Sequence, residues 1–461
     1  MANKYLFLFA QTHEEFRLPE VQSVAELNGF KIDFLSPISE LDVSRPFMIF
    51  GLENEDHARI LARRCILIKS VCEFYARGKT YEELHNANRL NVPKWEKYIE
   101  DTSFKFEVSA YNHSIPQKRQ REVVENFSYM ALLGKIDMKN PEEIFVCVEE
   151  YVDKHGMTRH KHEGDGDCRE IFFGRLIEEG SARQLVKKFD VKKRSYYGNT
   201  SMEAEISLLM ANQTLAAPGK LVCDPFVGTG SMAYTTAHFG AWFFGSDIDG
   251  RQMRGKDNTP GILRAAEQYD VSKRIIDLMT FDVTRNPWRC GELFDAIITD
   301  PPYGVRAGAK RLGRKKPLKS SGSEPPHPDT PRPDDQPYIP PTKPYELSAL
   351  ARDLVLLARY ILKPGGRLVF FLPTVTDEYE EVDIQTMLCD GMEVIANSLQ
   401  DFGSWGRRLI TIRKNTSERY PPPSFDAHGG SQPVDDPSVT HVPAHKDFRT
   451  KYFQGFRKEL E

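Results

Sequence analysis

The stretch Phe294-Asp295-Ala296-Ile297-Ile298-Thr299 runs directly into Asp300-Pro301-Pro302-Tyr303 and then Gly304. The apolar run, with β-branched Ile297 and Ile298 and a Pro-Pro pair at its end, predicts a buried parallel strand. In open α/β sheets the carboxyl edge of such a strand is where ligands bind. An acid, two prolines and an aromatic at that edge make a rigid corner suited to a planar ring bearing an exocyclic amine. The Asp300 carboxylate and the Pro301 carbonyl can accept the two amine hydrogens, and the Tyr303 ring can stack on the base. Pro301 and Pro302 hold the acceptors in place, so little reorganisation is needed during reaction. The plain alternative is an ordinary strand-ending turn, since Asp-Pro and Pro-Tyr are common in loops. The remainder of the chain decides between them.

Upstream, Lys192–Met202 opens a helix predicted to run to Ala211, with Thr200 or Ser201 as its cap, Thr200 also a candidate at the cofactor, and Glu203 in its first turn. Lys220–Cys223 reads as a strand leading into Asp224-Pro225-Phe226-Val227-Gly228-Thr229-Gly230. Glycines at such a strand-to-helix turn let a ligand approach the backbone. A second strand, Trp242–Ser246, ends in Asp247, roughly 20 residues beyond the glycine turn and so placed for a ribose diol. Asp282, after Met279-Thr280-Phe281, is either an adenine ligand or a loop cap. There is no Gly-Lys-Ser/Thr of a P-loop. The ordered series of glycine turn, ribose acid, adenine site and amine-binding corner resembles S-adenosyl-L-methionine-dependent amino-methyltransferases with a Rossmann-like sheet.

Downstream, Arg306, Lys310, Arg311, Arg314, Lys315, Lys316 and Lys319 precede a Pro/Ser/Asp-rich run to Pro344. Residues 306–344 therefore read as a mobile basic insertion, either an RNA grip or a solvated linker. The domain resumes with a helix over 346–360, a Lys363-Pro364-Gly365-Gly366 turn, a strand Arg367–Leu372 and a closing strand from Trp405 to Ile412. Residues 416–461 read as a mostly disordered tail, with a short helix near Phe448.

The amino-terminal part alternates strands and helices. Residues 1–95 give strands at 5–10, 30–35, 47–52 and 66–75 and helices at 18–28 and 56–64, a ferredoxin-like order. Residues 96–180 give a second α/β unit with a basic helix start, Gln117-Lys118-Arg119-Gln120-Arg121, and the segment Gly134–Met138. Residues 181–195 form a linker to a catalytic domain over 196–415. His155, His160, His162 and Cys168 match no zinc spacing, so no metal site is predicted.

With 461 residues the chain has room for about three domains. It is 40% hydrophobic and 28% charged, with no apolar run near the length of a membrane span. The apolar start Tyr5–Ala10 is followed at once by Gln11-Thr12-His13-Glu14-Glu15, so it reads as a strand rather than a signal peptide. Seven scattered cysteines without a Cys-x-x-Cys pair predict a reducing, cytoplasmic setting. A net charge of −4 means that any nucleic-acid contact relies on local basic patches.

The stretch Lys193–Glu205, Asp224–Gly230, Gly245–Asp249 and Asp300–Gly304, together with Tyr5–Ala10, His13–Arg17, Gly134–Met138 and Phe172–Arg175, resembles the eukaryotic tRNA guanosine-10 N2-methyltransferases. The resemblance covers roughly residues 1–415. It implies a ferredoxin-like domain and a THUMP tRNA-binding domain ahead of a Rossmann-like class I methyltransferase domain. By carry-over, Asp224, Phe226, Gly228, Gly230 and Asp247 would lie at the cofactor, and Asp300, Pro301 and Tyr303 would hold guanine. It also implies tRNA as substrate and a small zinc-binding activator subunit as partner, with no membrane. Rival readings are an amino-methyltransferase of adenine or cytosine in another nucleic acid, a protein glutamine N5-methyltransferase, and a non-catalytic tRNA binder. Asp300 argues against the glutamine enzymes, which usually carry Asn there.

Overall fold

The computed structural model describes residues 3–152, 168–255, 261–303, 308–313, 341–425 and 443–454. It divides into two compact units, 1–184 and 185–461, each built on a seven-stranded sheet.

In the first unit the strands are β1 (Asn3–Phe9), β2 (Asp33–Phe34), β3 (Phe47–Leu52), β4 (Ile68–Gly78), β5 (Phe104–Tyr111), β6 (Glu143–Tyr151) and β7 (Cys168–Glu179). Their order is β2-β3-β1-β4-β7-β6-β5, antiparallel except for the β5/β6 pair. The helix Arg17–Leu27 buries Leu18, Val21, Val24 and Ala25, the i, i+3, i+6, i+7 stripe of an amphipathic helix. The helix Glu55–Arg64 starts where the Asn54 side chain accepts the His57 N–H at 3.0 Å.

The two segments read apart at 95/96 share one sheet, because β7 pairs with β4 on one side and β6 on the other. Two residues make that possible. A Cβ on Gly174 would lie 2.2 Å from the Glu73 carbonyl oxygen, so only glycine lets β7 come this close to β4. Next to it, Arg175 (side chain 6% exposed) meets Glu55 at 2.7 Å, Glu73 at 3.0 Å and Glu143 at 3.1 Å. A buried guanidinium is tolerated only when so paired, and here the pairing joins both halves of the unit. His155, His160 and His162 lie outside the described residues, whereas Cys168 begins β7. No cluster able to hold a metal occurs among the described residues.

The second unit has β8 (Leu221–Asp224), β9 (Trp242–Asp247), β10 (Ile275–Thr280), β11 (Phe294–Thr299), a small ribbon of β12 (Lys310–Leu312) with β13 (Thr342–Pro344), then β14 (Leu362–Val375), β15 (Met392–Asp401) and β16 (Trp405–Lys414). The main sheet runs β10-β9-β8-β11-β14-β16-β15. From β10 to β14 neighbouring strands are parallel, and β16 is antiparallel to both β14 and β15. The strand order reverses between β8 and β11, which makes their carboxyl ends the switch point of the sheet. The helix Leu347–Ile361, capped by the Glu346 carboxylate on the Ser348 and Ala349 N–H groups, packs its apolar face against this sheet. No described helix is long and apolar enough to cross a membrane.

Three expectations change. The helix predicted from Thr200 or Ser201 begins at Ala204, after Glu203, and neither hydroxyl caps it; Ser201 is used elsewhere, as described below. Of the insertion, Lys310 and Arg311 lie in the β12/β13 ribbon, with the Arg311 guanidinium 5.4 Å from the Tyr345 ring centre. Gly304, Arg306, Arg314, Lys315, Lys316 and Lys319 lie outside the described residues. Residues 443–454, read as tail, are packed: the Ala444 N–H bonds Asp383 at 3.0 Å, and Phe448, 1% exposed, starts a helix to Gln454. The tail's few apolar residues gave no hint in sequence of the surface they cover.

Candidate active site

Asp224, Asp247 and Asp300 close β8, β9 and β11, three adjacent strands spanning the switch point. The turn after β8 is held by Asp224. Its Oδ1 accepts the Phe226 N–H at 2.9 Å and the Thr299 hydroxyl at 2.6 Å, which ties β8 to β11. The residue is fully buried, and Oδ2 has no hydrogen-bond partner among the described residues. Burial pushes its carboxyl up to about 8, and the Asp247 and Asp300 charges add to the rise. A buried, half-satisfied carboxylate of this kind calls for a cation.

The turn continues through Gly228 and Gly230 into the helix Ser231–His238. Gly230 has φ of 83°, and a Cβ there would meet Ile262 at 2.9 Å and the Tyr234 hydroxyl at 3.0 Å, so both conformation and space demand glycine. The Gly228 N–H donates to Asp247 Oδ2 at 3.1 Å, and Asp247 Oδ1 accepts the Asp249 N–H at 2.9 Å. The acid expected at the ribose thus also fixes the glycine turn. Burial raises its carboxyl above the usual range.

The segment before the helix Ala204–Gln213 folds over this turn. Ser201 Oγ accepts the Gly198 N–H at 2.9 Å and bonds Thr229 Oγ1 at 2.7 Å. Ser231 Oγ accepts from the Met202 N–H at 3.1 Å and from Arg194 Nη1 at 2.8 Å. Thr200 is exposed on that segment. Asp282 behaves as the cap that was its alternative reading. Its Oδ1 accepts the Thr284 N–H and hydroxyl, both at 2.8 Å, and its Oδ2 accepts the Leu312 N–H of β12. Any adenine contact would have to use the lone pair left on Oδ2.

At the amine corner, Pro301 is buried, and Tyr303 forms a bridge with Gly308. The Tyr303 ring stands edge-on to Phe448 at 6.5 Å. Trp405 packs on Phe448 at 5.6 Å. The Asp300 side chain is 18% exposed; Arg407 Nη1 lies 3.8 Å from its Oδ2, while Oδ1 has no partner among the described residues. Burial raises its carboxyl to about 6, the facing Arg407 opposing the rise. Recessed at the strand end, Asp300 is a better proton acceptor than an exposed carboxylate.

Sequence reasoning gave Ser201 a cap's role and missed Ser231, Thr299 and Arg407. Thr299 adjoins the motif and could have been found there. The others carry no local signal.

Asp224 Oδ2, without a partner among the described residues, a glycine turn open to close approach and an acid at the next strand end fit a ligand with a cationic amino-acid end and a ribose. S-adenosylmethionine is such a ligand. Asp224 and the turn Phe226–Gly230 would hold the former and Asp247 the latter. Replacing Asp247 by alanine is therefore expected to weaken S-adenosylmethionine binding about 10- to 100-fold, through lost charge-assisted hydrogen bonds of about 1.5–3 kcal/mol and a loosened Gly228. Calorimetric titration measures this, and an unchanged affinity would remove Asp247 from the ribose role.

The parallel sheet with its switch-point glycine turn and Asp-Pro-Pro-Tyr corner defines a Rossmann-like methyltransferase domain. An RMKL-like methyltransferase domain matches residues 192–316, and a Tmrp11 THUMP N-terminal domain matches residues 3–183. The tRNA (guanine(10)-N(2))-methyltransferase of Schizosaccharomyces pombe is 36% identical over 98% of this chain and 96% of its own length. The Saccharomyces cerevisiae enzyme of the same name is 36% identical over 98% and 99%. The Homo sapiens tRNA (guanine(10)-N(2))-methyltransferase TRMT11 is 33% identical over 99% and 96%. The chain belongs to the tRNA (guanine(10)-N(2))-methyltransferase family.

Proposed function

We propose that this chain transfers a methyl group from S-adenosylmethionine to the exocyclic N2 of guanosine 10 in tRNA. The observation that carries this is the match of both units, over nearly the whole length, to relatives of that name. Adenine or cytosine as target is not favoured, since those relatives are named for guanine.

Bound S-adenosylmethionine supplies an electrophilic methyl group on a sulfonium. The protein's part is positional. The guanine amine cannot present its lone pair while paired and stacked, so the base must be turned out of the stack. Its two amine hydrogens then meet Asp300 Oδ1 and the Pro301 carbonyl. These bonds draw the lone pair out of conjugation with the ring and aim it, an orientation effect preset by the two prolines. As the N–C bond forms and the S–C bond breaks, one amine proton becomes acidic. Asp300, with its raised carboxyl, can take it and pass it to solvent. Tyr303, two residues beyond Pro301, would stack on the base.

Exposed basic residues for phosphate contacts include Lys118 and Arg121 on the helix Gln117–Glu125; Arg119 on the same helix turns inward to Glu149 at 3.4 Å. The small zinc-binding activator subunit is a further partner in this reading. Strand β10, with Ile276 55% and Met279 37% exposed, is an edge strand among the described residues, and its partly apolar edge is consistent with a protein partner. The seven cysteines are free, which fits a cytoplasmic setting.

Unmodified tRNA transcripts incubated with S-adenosylmethionine and this chain, with and without the activator, are expected to yield N2-methylguanosine at position 10. Mass spectrometry of the nucleosides reads it. Methyladenosine or methylcytosine instead would refute the guanine assignment.

A further inference from the structure

Asp300 is faced by a side chain from two strands away. β11 pairs with β14, and β14 with β16, on which Arg407 stands. Thr299 is opposite Phe370 of β14, and Arg407 is opposite Pro373. With neighbouring strands about 4.8 Å apart, a group on β16 must reach roughly 10 Å to act at the end of β11. Only a long side chain held straight does that. The Arg407 guanidinium passes over the Phe371 ring of the intervening strand, 4.3 Å from its centre. Its Nε donates to Gln400 Oε1 on β15 at 2.6 Å. Its Nη1 is 3.8 Å from Asp300 Oδ2, and the side chain is 9% exposed. The guanidinium is thus fixed by a neighbour on one side and a ring beneath, and its free end points at one oxygen of the amine acceptor. Among the described residues, the Asp224 and Asp300 charges also repel each other.

We propose that Arg407 is a positioning residue for the methyl acceptor: it holds Asp300 Oδ2 so that Oδ1 is left to receive the guanine amine. The inference rests on the amine-acceptor role of Asp300 stated above. Arg407 itself touches no substrate. It favours the ionised, acceptor-only form of Asp300 against burial and against Asp224, and it sets the rotation of the carboxylate. A lysine would bring the charge without the planar fork or the stack on Phe371.

The test uses five full-length proteins: wild type, Asp300→Asn, Arg407→Gln, Arg407→Lys and the double variant of Asp300→Asn with Arg407→Gln. Thermal melts from pH 5 to 9 give the pH at which folded Asp300 ionises: the difference in melting temperature between each protein and its counterpart carrying Asp300→Asn falls and then levels off, and the midpoint of that change in slope is the folded value. The folded carboxyl is raised, so its contribution to stability is full below the unfolded value and is lost as pH rises through the folded one. Arg407→Gln is expected to move that midpoint up by about one unit or more. In single-turnover transfer to tRNA, Arg407→Gln is expected to lose about 30-fold in rate with the S-adenosylmethionine Kd within about twofold. In the Asp300→Asn background the same change should cost less than about twofold. Arg407→Lys should fall between wild type and Arg407→Gln. Additive losses, or an unmoved midpoint, would overturn the inference. A wild type that methylates no guanosine would defeat the substrate reading separately, and the melting midpoint would still decide the pairing.

Discussion

Replacing Asp300 by alanine is expected to lower methyl transfer about a thousandfold while leaving S-adenosylmethionine binding within about threefold. The size follows from two effects removed together. Loss of one preset hydrogen-bonding group at a reacting atom costs about 100- to 1,000-fold, and loss of a general base costs a similar amount. They share one carboxylate, so the losses do not multiply fully. Stability should not fall, because among the described residues Oδ1 has no partner to lose and the Oδ2 contact with Arg407 is a single ion pair at 3.8 Å. The charge of Arg407 is left facing an alanine, but it keeps Gln400 and the Phe371 ring. Single-turnover rates and calorimetric titration, side by side, separate the two effects. Full activity in this variant would remove Asp300 from the reaction.

Replacing Asp224 by asparagine is expected to do the reverse, striking the cofactor before the chemistry. The amide can keep the acceptor at Oδ1, with the Phe226 N–H and the Thr299 hydroxyl, so the turn survives. What disappears is the buried negative charge at Oδ2. Removing one member of a buried charge pair costs about 2–3 kcal/mol, roughly 30- to 200-fold in S-adenosylmethionine affinity. The pH dependence gives a second readout. The folded Asp224 carboxyl is raised to about 8 from an ordinary value near 4. A raised carboxyl contributes stability that is full below the unfolded value and is lost as pH rises through the folded one. The unliganded wild type should therefore weaken between about pH 4 and pH 8, whereas the asparagine variant should not show that slope. The melting temperature of the variant relative to wild type should climb steadily across this range. Binding of the cofactor's cation to the wild type at pH 7 should also release close to one proton, seen as buffer-dependent binding heat. A flat difference in melting temperature would mean that Asp224 is not the protonated group inferred from its burial.

The order of elements in the catalytic unit was legible because its strands open as apolar runs and end at turn residues and acids. Trp242–Asp247 and Phe294–Thr299 stand at the residues expected, and Asp224, Asp247 and Asp300 close three neighbouring strands. The helix start near Thr200 was misread for a physical reason. Ser201 is a good cap by type, but its hydroxyl is taken by Thr229 and by the Gly198 N–H, a tertiary demand that outweighs local preference. Asp282 shows the same limit: a carboxylate after a strand can face a ligand or cap a turn, and only the position of Leu312 gives its second oxygen a partner.

The sequence by itself determined the reaction class, since glycine turns and acidic strand ends are local and are written in residue type and spacing, and the resemblance of its motifs in both units pointed to the family. Tertiary structure alone decided what depends on distance across strands. It joined residues 1–95 to 96–180 through β7, seated Phe448 beside Tyr303, and brought Arg407 to Asp300 from more than a hundred residues away. Burial belongs with these, because the environment that raises the Asp224 and Asp300 carboxyls is assembled from several strands at once and no single stretch of chain contains it.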